Sequence, residues 1–200
     1  MSTLAVHAGA RPDPVTGARG TPIYQTTSFV FDDAEHGAEL FNLQTFGYVY
    51  SRMTNPTVSV FEERVAQLEG GRGAVATSSG HAAQFIAAAT LMEAGDEFIA
   101  SRNLYGGSVT QFGVSFPKLG WKCNFVDPTD PENFEKAMND KVKFIFCEGV
   151  ANPGGIILDL EKIADIAHKN GVLLIVDNTL ASPYLLRPFE SVSYTHLRAH

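Results

Sequence analysis

The chain has 200 residues, 44% of them hydrophobic and 18% charged, which is ordinary for a soluble globular protein and enough for one domain with a real core. Fifteen Lys and Arg stand against 22 Asp and Glu, a formal net charge of −7. A chain this acidic, with no run of basic residues, has no electrostatic reason to seek nucleic acid or an anionic membrane.

Residues 1–50 show little periodicity. Pro12, Pro14, Gly17, Gly20 and Pro22 precede a short β-rich piece, QTTSFVF, and the stretch reads as an extended arm or cap. It has no apolar core of signal-peptide length, and no later segment approaches membrane-spanning length. Asn55 followed by Pro56 predicts a helix start, with Val58, Phe61, Val65 and Leu68 at helical spacing and Gly70-Gly71 as the stop. GAVATSS (73–79) predicts a strand and turn, HAAQFIAAATLMEAG (81–95) a buried helix, and DEFIAS (96–101) a strand. NLYGG (103–107) is a loop, and SVTQFGVSF (108–116) a helix closing before Pro117. CNFVD is a strand, PENFEKAMN a helix, KVKFIFCE a strand and ANPGG a loop. LEKIADIAHKNG (160–171) is a helix with Ile163, Ile166 and Ala167 on one face, and VLLIVDNT (172–179) is a strand.

Strands such as FIFC and VLLIV lack polar alternation, so both faces should be covered. Repeated β-α-β units with such strands predict an α/β fold, a mostly parallel sheet with helices on both faces. In such sheets ligands sit beyond the carboxyl ends of the strands. Cys123 and Cys147 lie in apolar strand-like runs and read as reduced core residues of a cytoplasmic protein. The six His are scattered, so no metal site is expected.

Five loop motifs carry possible chemistry. TSSGHAA (77–83) places Ser79, Gly80 and His81 at a helix start, where free N–H groups and the helix dipole suit a phosphate; an ordinary strand-to-helix turn looks the same. It is neither the G-x-G-x-x-G pattern nor a Walker loop, which weighs against a nucleotide-binding domain. In YVYSRMTNPT (48–57), Tyr50 and Arg52 offer a phenol and a guanidinium fork to one phosphate, or a packed Tyr and a surface Arg. Tyr105 in NLYGG can stack on a flat ring. Asp177 in VDNT ends a buried strand, where a carboxylate is costly unless paired; it either caps the next turn or meets a protonated ring nitrogen. CEGVANPGG (147–155) is another loop after a strand, with Asn152 as its polar handle.

In this order the motifs resemble the Cys/Met-metabolism enzymes that use pyridoxal 5′-phosphate (PLP), the cystathionine γ-synthase-like group, from about His7 to Glu190. The long stretch YQTTSFVFDDAEHGAELFNLQTFGYVYSRMTNPT is similar to the sulfhydrylase branch of that family. The resemblance implies a PLP-dependent transferase of fold type I, with residues 1–50 as the arm and 51–190 as an incomplete large domain. It implies that acetate is exchanged for sulfide or methanethiol on O-acetylhomoserine, and that the protein is a homo-oligomer, a tetramer, with sites shared between subunits. Tyr50 and Arg52 then reach a neighbour's cofactor phosphate, while Gly80 and His81 bind their own subunit's phosphate with Ser79 at the same turn. Tyr105 stacks on the pyridine ring and helps move protons, Asp177 pairs with the ring nitrogen, and Asn152 and Thr179 lie close to the ring. Gly149-Val150 departs from the family pattern, where Ser and then Pro or Ile often follow the Glu.

By the same resemblance the Schiff-base lysine belongs to a Ser-x-Thr-Lys motif beyond PYLLRPFE, where this chain reads SVSYTHLRAH (191–200), an atypical tail without apolar strand character. Lys169, the last lysine, reads as a solvated helix residue. The chain is therefore expected to be a partial, inactive site. Cystathionine γ-synthase or methionine γ-lyase chemistry, and a non-catalytic cofactor-binding or subunit-interaction module, are the alternatives.

Overall fold

The alternating signals of the second half become one parallel sheet, while the first half gathers around a single long helix. The computed structural model describes residues 1–191 and 195–197, which fall into two compact units dividing after Ala76.

The first unit holds α1 (Ser2–His7), α2 (Ala34–Phe41) and α3 (Pro56–Glu69). Helix α3 starts and stops where its sequence signals stand. The Asn55 side chain accepts the Thr57 N–H at 2.9 Å, Pro56 occupies the first turn, and Gly70 ends the helix with φ 76°. Asn55 Nδ2 also donates to the Tyr24 carbonyl at 2.9 Å and to Ser51 Oγ at 3.0 Å, so one buried amide ties the arm to the helix start. Arg64 of α3 donates to the Ala8 carbonyl at 2.9 Å. The boundary drawn near residue 50 thus falls inside a unit in which α3 goes with the arm. Helix α2 was not foreseen; Asp33 caps it by accepting the His36 N–H at 2.8 Å. QTTSFVF forms no strand but a single antiparallel bridge, Ser28 to Tyr50.

Asn55→Ala removes the cap and the bonds to Tyr24 and Ser51. It is expected to lower stability by about 1–2 kcal/mol, read as a shift of the urea midpoint, whereas Asn55→Asp keeps the cap and recovers part of the loss.

In the second unit the strands are β1 (Glu97–Ser101), β2 (Lys122–Val126), β3 (Val142–Glu148), β4 (Leu173–Asp177) and β5 (Thr195–Leu197), all parallel, in the order β2-β1-β3-β4-β5. Side chains alternate across the sheet. Phe98, Ala100, Phe144, Phe146 and Ile175 point to one face, where α4 (Gly80–Leu91) and the segment from Phe112 to Trp121 cover them. Ile99, Ile145, Cys147, Leu174 and Val176 point to the other, under α6 (Glu132–Lys136) and α7 (Leu160–Lys169). The absence of polar alternation in these strands has this cause. Helix α5 (Gly106–Thr110) lies between α4 and β2 in sequence, and α8 (Ser182–Leu185) and α9 (Pro188–Ser191) follow β4.

Three expectations need correction. Residues 73–79 form no strand: the Ala76 N–H donates to the Glu62 carboxylate at 2.7 Å, where a strand would use a ladder carbonyl. The helix after the Tyr105 loop does not close before Pro117; α5 runs into a π turn (Gln111–Ser115) and a 3₁₀ turn (Phe116–Leu119). Pro117 sits in the first turn of the latter, where its missing N–H costs little, and Gly120 with φ 82° makes the stop. In the tail, Thr195–Leu197 pairs in parallel with Ile175–Asp177, because an unsatisfied strand edge accepts even a short polar segment through its backbone. Residues 192–194 and 198–200 of that tail lie outside the described residues.

Candidate functional site

The sheet order reverses between β1 and β3, since β1 is followed by β2 on one side and β3 by β4 on the other. Such a switch point opens a crevice at the carboxyl ends of the strands. A cavity of about 250 Å³ lies among the segments that follow β1, β3 and β4 and the start of α4. It brings together six of the predicted residues: Gly80, His81, Tyr105, Asn152, Asp177 and Thr179. A wider and more open hollow of about 570 Å³ shares His81 but is lined by no carboxylate.

Each wall has a local cause. Helix α4 opens at Gly80 because Ser79 caps it, its Oγ accepting the Ala82 N–H at 3.1 Å. Ser79 is absent from the cavity lining and serves here as the cap. The N–H groups of Gly80 and His81, first in the helix, have no intrahelical acceptor and carry the positive end of its dipole. Tyr105 precedes α5 and is half exposed, its ring centroid 5.9 Å from that of His81. Gly107 must be glycine for this pair to fit, since a Cβ there would meet the His81 and Tyr105 rings at 2.6 Å.

Asp177 ends β4 and accepts the Thr179 N–H at 3.0 Å, so the capping role open to it in the sequence is realised. Its neighbour in the ladder is Glu148, the last residue of β3, and both carboxylates line the cavity. Glu148 is only 5% exposed. Its Oε1 accepts the Tyr105 N–H at 2.7 Å and its Oε2 the Asn152 N–H at 2.8 Å. Burial pushes its carboxyl above the usual range, the two N–H donors pull it back, and the Asp177 charge adds to the rise. Asn178, also buried, donates to the Leu186 carbonyl at 2.8 Å and fixes the turn after Asp177. Cys147 is wholly buried, and burial first, then the charges of Glu148 and Asp177, hold its thiol far above ordinary thiols, which makes it a core residue and no nucleophile.

Glu148, Gln84 and Ser108 line the cavity without having been singled out in the sequence. Gln84 Nε2 donates to Ser108 Oγ at 2.9 Å, while Gln84 Oε1 is buried and makes no hydrogen bond among the described residues. Glu148 carried the same signal as Asp177, a carboxylate closing an apolar strand. Gln84 had none, sitting inside an apolar helix.

Tyr50 and Arg52 belong to the first unit. There the Arg52 guanidinium carbon lies 5.4 Å from the Tyr50 ring centroid, a cation–π contact.

A helix N-terminus, an aromatic face and a strand-end carboxylate around one slot suit a flat, phosphorylated, protonated heteroaromatic ring, and the unpartnered Gln84 oxygen leaves a further polar contact open. The fold and this cavity place the chain among PLP-dependent enzymes. A solved structure from Campylobacter jejuni, described as an O-acetylhomoserine (thiol)-lyase with N′-pyridoxyl-lysine-5′-monophosphate, superposes with a TM-score of 0.93 at 38% identity, covering 98% of this chain and 48% of that one. MetB from Corynebacterium glutamicum gives 0.89 at 34% identity, over 98% and 49%. Residues 2–192 match the family of Cys/Met metabolism PLP-dependent enzymes, and the chain belongs to that family.

Within it, the O-acetyl-L-homoserine sulfhydrylase of Leptospira meyeri is 50% identical over 188 residues, 94% of this chain and 42% of that protein. The O-acetyl-L-homoserine sulfhydrylase 1 of Thermus thermophilus is 50% identical over 94% and 45%, and the homocysteine synthase of Schizosaccharomyces pombe 47% over 95% and 44%. The chain spans less than half the length of these curated relatives. Among the described residues no helix is long and apolar enough to cross a membrane.

Proposed function

We propose that this chain builds the cofactor cavity of a PLP-dependent O-acetyl-L-homoserine sulfhydrylase, in which acetate leaves and sulfide or methanethiol takes its place to give homocysteine or methionine. The observation that carries the reading is the meeting of Gly80, His81, Tyr105, Asn152 and Asp177 around one slot, in a chain half identical to sulfhydrylases over nearly its whole length. When bound, PLP supplies an electron sink for charge that builds beside an amino group. The chain's own groups have separable tasks. The N–H groups of Gly80 and His81 bind the phosphate at the positive end of α4. The Tyr105 ring covers one face of the pyridine, and its phenol moves a proton at the substrate. Asp177 holds a proton on the ring nitrogen, which keeps the sink strong. Asn152 and Thr179 flank the ring.

The direct test is product formation from O-acetylhomoserine and sulfide by a protein that carries this chain at its relatives' full length, set against methionine or cysteine alone. Homocysteine and acetate in equal amounts support the proposal; turnover of methionine alone would replace it with a γ-lyase.

The protein acts as a homo-oligomer in which Tyr50 and Arg52 of one copy serve the phosphate site of another. The first unit suits such a contact, because Val30, Leu43 and Phe46 stand almost fully exposed in the single chain. Arg52→Ala is expected to weaken binding of pyridoxamine 5′-phosphate about tenfold through loss of a charge-assisted hydrogen bond, with its far-ultraviolet spectrum unchanged. An unaltered affinity in a fluorescence titration removes the shared-site claim.

A further inference from the structure

Glu148 closes a strand as Asp177 does, yet its carboxylate is used differently. Each of its oxygens takes one backbone N–H, and the two donors belong to separate loops 47 residues apart, at Tyr105 (2.7 Å) and Asn152 (2.8 Å). Both loops line the slot, one carrying the aromatic face and the other the Asn152 amide. We infer that Glu148 is the positioning residue of this site: its carboxylate holds the Tyr105 and Asn152 loops at one spacing and so sets the opening into which the flat cofactor ring fits. The inference rests on the cofactor reading above.

A buried carboxylate is an expensive way to satisfy two N–H groups. No Lys or Arg forms an ion pair with Glu148 among the described residues. Its ladder neighbour Asp177 adds repulsion, so fold stability alone gives little reason for an acid here. What an ionised carboxylate provides, and no neutral side chain does, is two acceptors and no donor on a rigid planar fork. Each loop is otherwise seated near this point. Leu104 is 2% exposed beside Tyr105, and Ala151, fully buried beside Asn152, donates its N–H to the Ile156 carbonyl at 2.9 Å. The fork is therefore the direct link between two segments that are each anchored to the core. Glu148→Gln presents one acceptor and one amide group, and the amide opposes whichever N–H it faces. Glu148→Asp is one methylene too short to reach both.

The test titrates pyridoxamine 5′-phosphate, which needs no covalent bond to the protein, into the wild-type chain and the Glu148 variants. It reads affinity by fluorescence and the set of the ring by the circular dichroism induced in the bound pyridine. We expect Glu148→Gln and Glu148→Asp each to bind about tenfold more weakly, the worth of one hydrogen bond to a charged group, with an altered induced signal. The effect should be non-additive with Tyr105→Ala, because Glu148 acts through that loop. Unchanged affinity and an unchanged induced signal in a folded Glu148→Gln overturn the inference and leave the cofactor reading standing, as does strict additivity with Tyr105→Ala. Absence of binding by the wild-type chain overturns both. Should the Glu148 variants fail to fold, amide exchange in the wild-type chain decides. Protection of the Tyr105 and Asn152 N–H groups rising together on binding supports the link, and a rise in one without the other refutes it.

Discussion

Asp177→Ala is expected to weaken binding of pyridoxamine 5′-phosphate about 30-fold, and Asp177→Asn to weaken it nearly as much. Asp177 has two possible employments. One is local: its side chain accepts the Thr179 N–H at 3.0 Å and shapes the turn after β4. The other is toward a ligand, as the anion facing a protonated ring nitrogen. Asn retains an oxygen for the Thr179 N–H and loses only the charge, so it separates the two. Truncating one member of a desolvated charge pair costs about 2–5 kcal/mol, and the partial exposure of Asp177 puts the expectation at the lower end, about 2 kcal/mol or 30-fold. If the turn were all that Asp177 maintained, Asn would bind like wild type and only Ala would fail. A second consequence follows at Glu148. A carboxyl raised in the folded state favours folding while protonated and loses that contribution as the pH climbs through its folded pKa. Removing the Asp177 charge relieves part of the rise, so Asp177→Asn should be no less stable than wild type at neutral pH.

Much of this arrangement was legible because it depends on local chemistry. Asn55-Pro56 and Gly70 announce helix α3 through capping rules that need no tertiary partner, and they stand where expected. The unbroken apolar runs FIFC and VLLIV announce strands covered on both faces, and the two cores flank the sheet accordingly. The loops carrying Tyr105, Asn152 and Asp177 follow such strands, where sheet geometry puts ligand sites. What escaped depends on distant partners. GAVATSS has strand composition, yet Ala76 spends its N–H on Glu62, a choice made by the packing of α3. The Glu148 fork is invisible in CEGVANPGG because one of its two donors lies 43 residues away. The π turn at Gln111–Ser115 leaves no mark in SVTQFGVSF, where Phe112 and Phe116 stand at ordinary helical spacing.

That aromatic layer bears the largest stability effect expected in the chain. Phe98 is fully buried in β1, stacked on Phe144 at 4.7 Å between ring centroids and met edge-on by Phe112 at 5.1 Å. β1 is paired on both sides, by β2 and β3, so the backbone around Phe98 cannot relax inward to fill a void. Phe98→Ala is therefore expected to cost about 3–5 kcal/mol, the range for a large aromatic lost from a core that does not collapse, with a further loss of ring–ring contact. Phe98→Leu keeps most of the volume and should cost well under half as much. Tyr184, as bulky but 78% exposed, is the comparison: Tyr184→Ala should stay within about 0.5 kcal/mol of wild type. Urea unfolding at constant slope reads all three as midpoint shifts. Equal costs at Phe98 and Tyr184 would mean that the first face of the sheet is not the packed layer described. The same substitution should also reach the site, because β1 runs directly into Leu104 and Tyr105. A chain that survives Phe98→Ala at low temperature should then bind pyridoxamine 5′-phosphate less tightly, without any change in a residue that lines the slot.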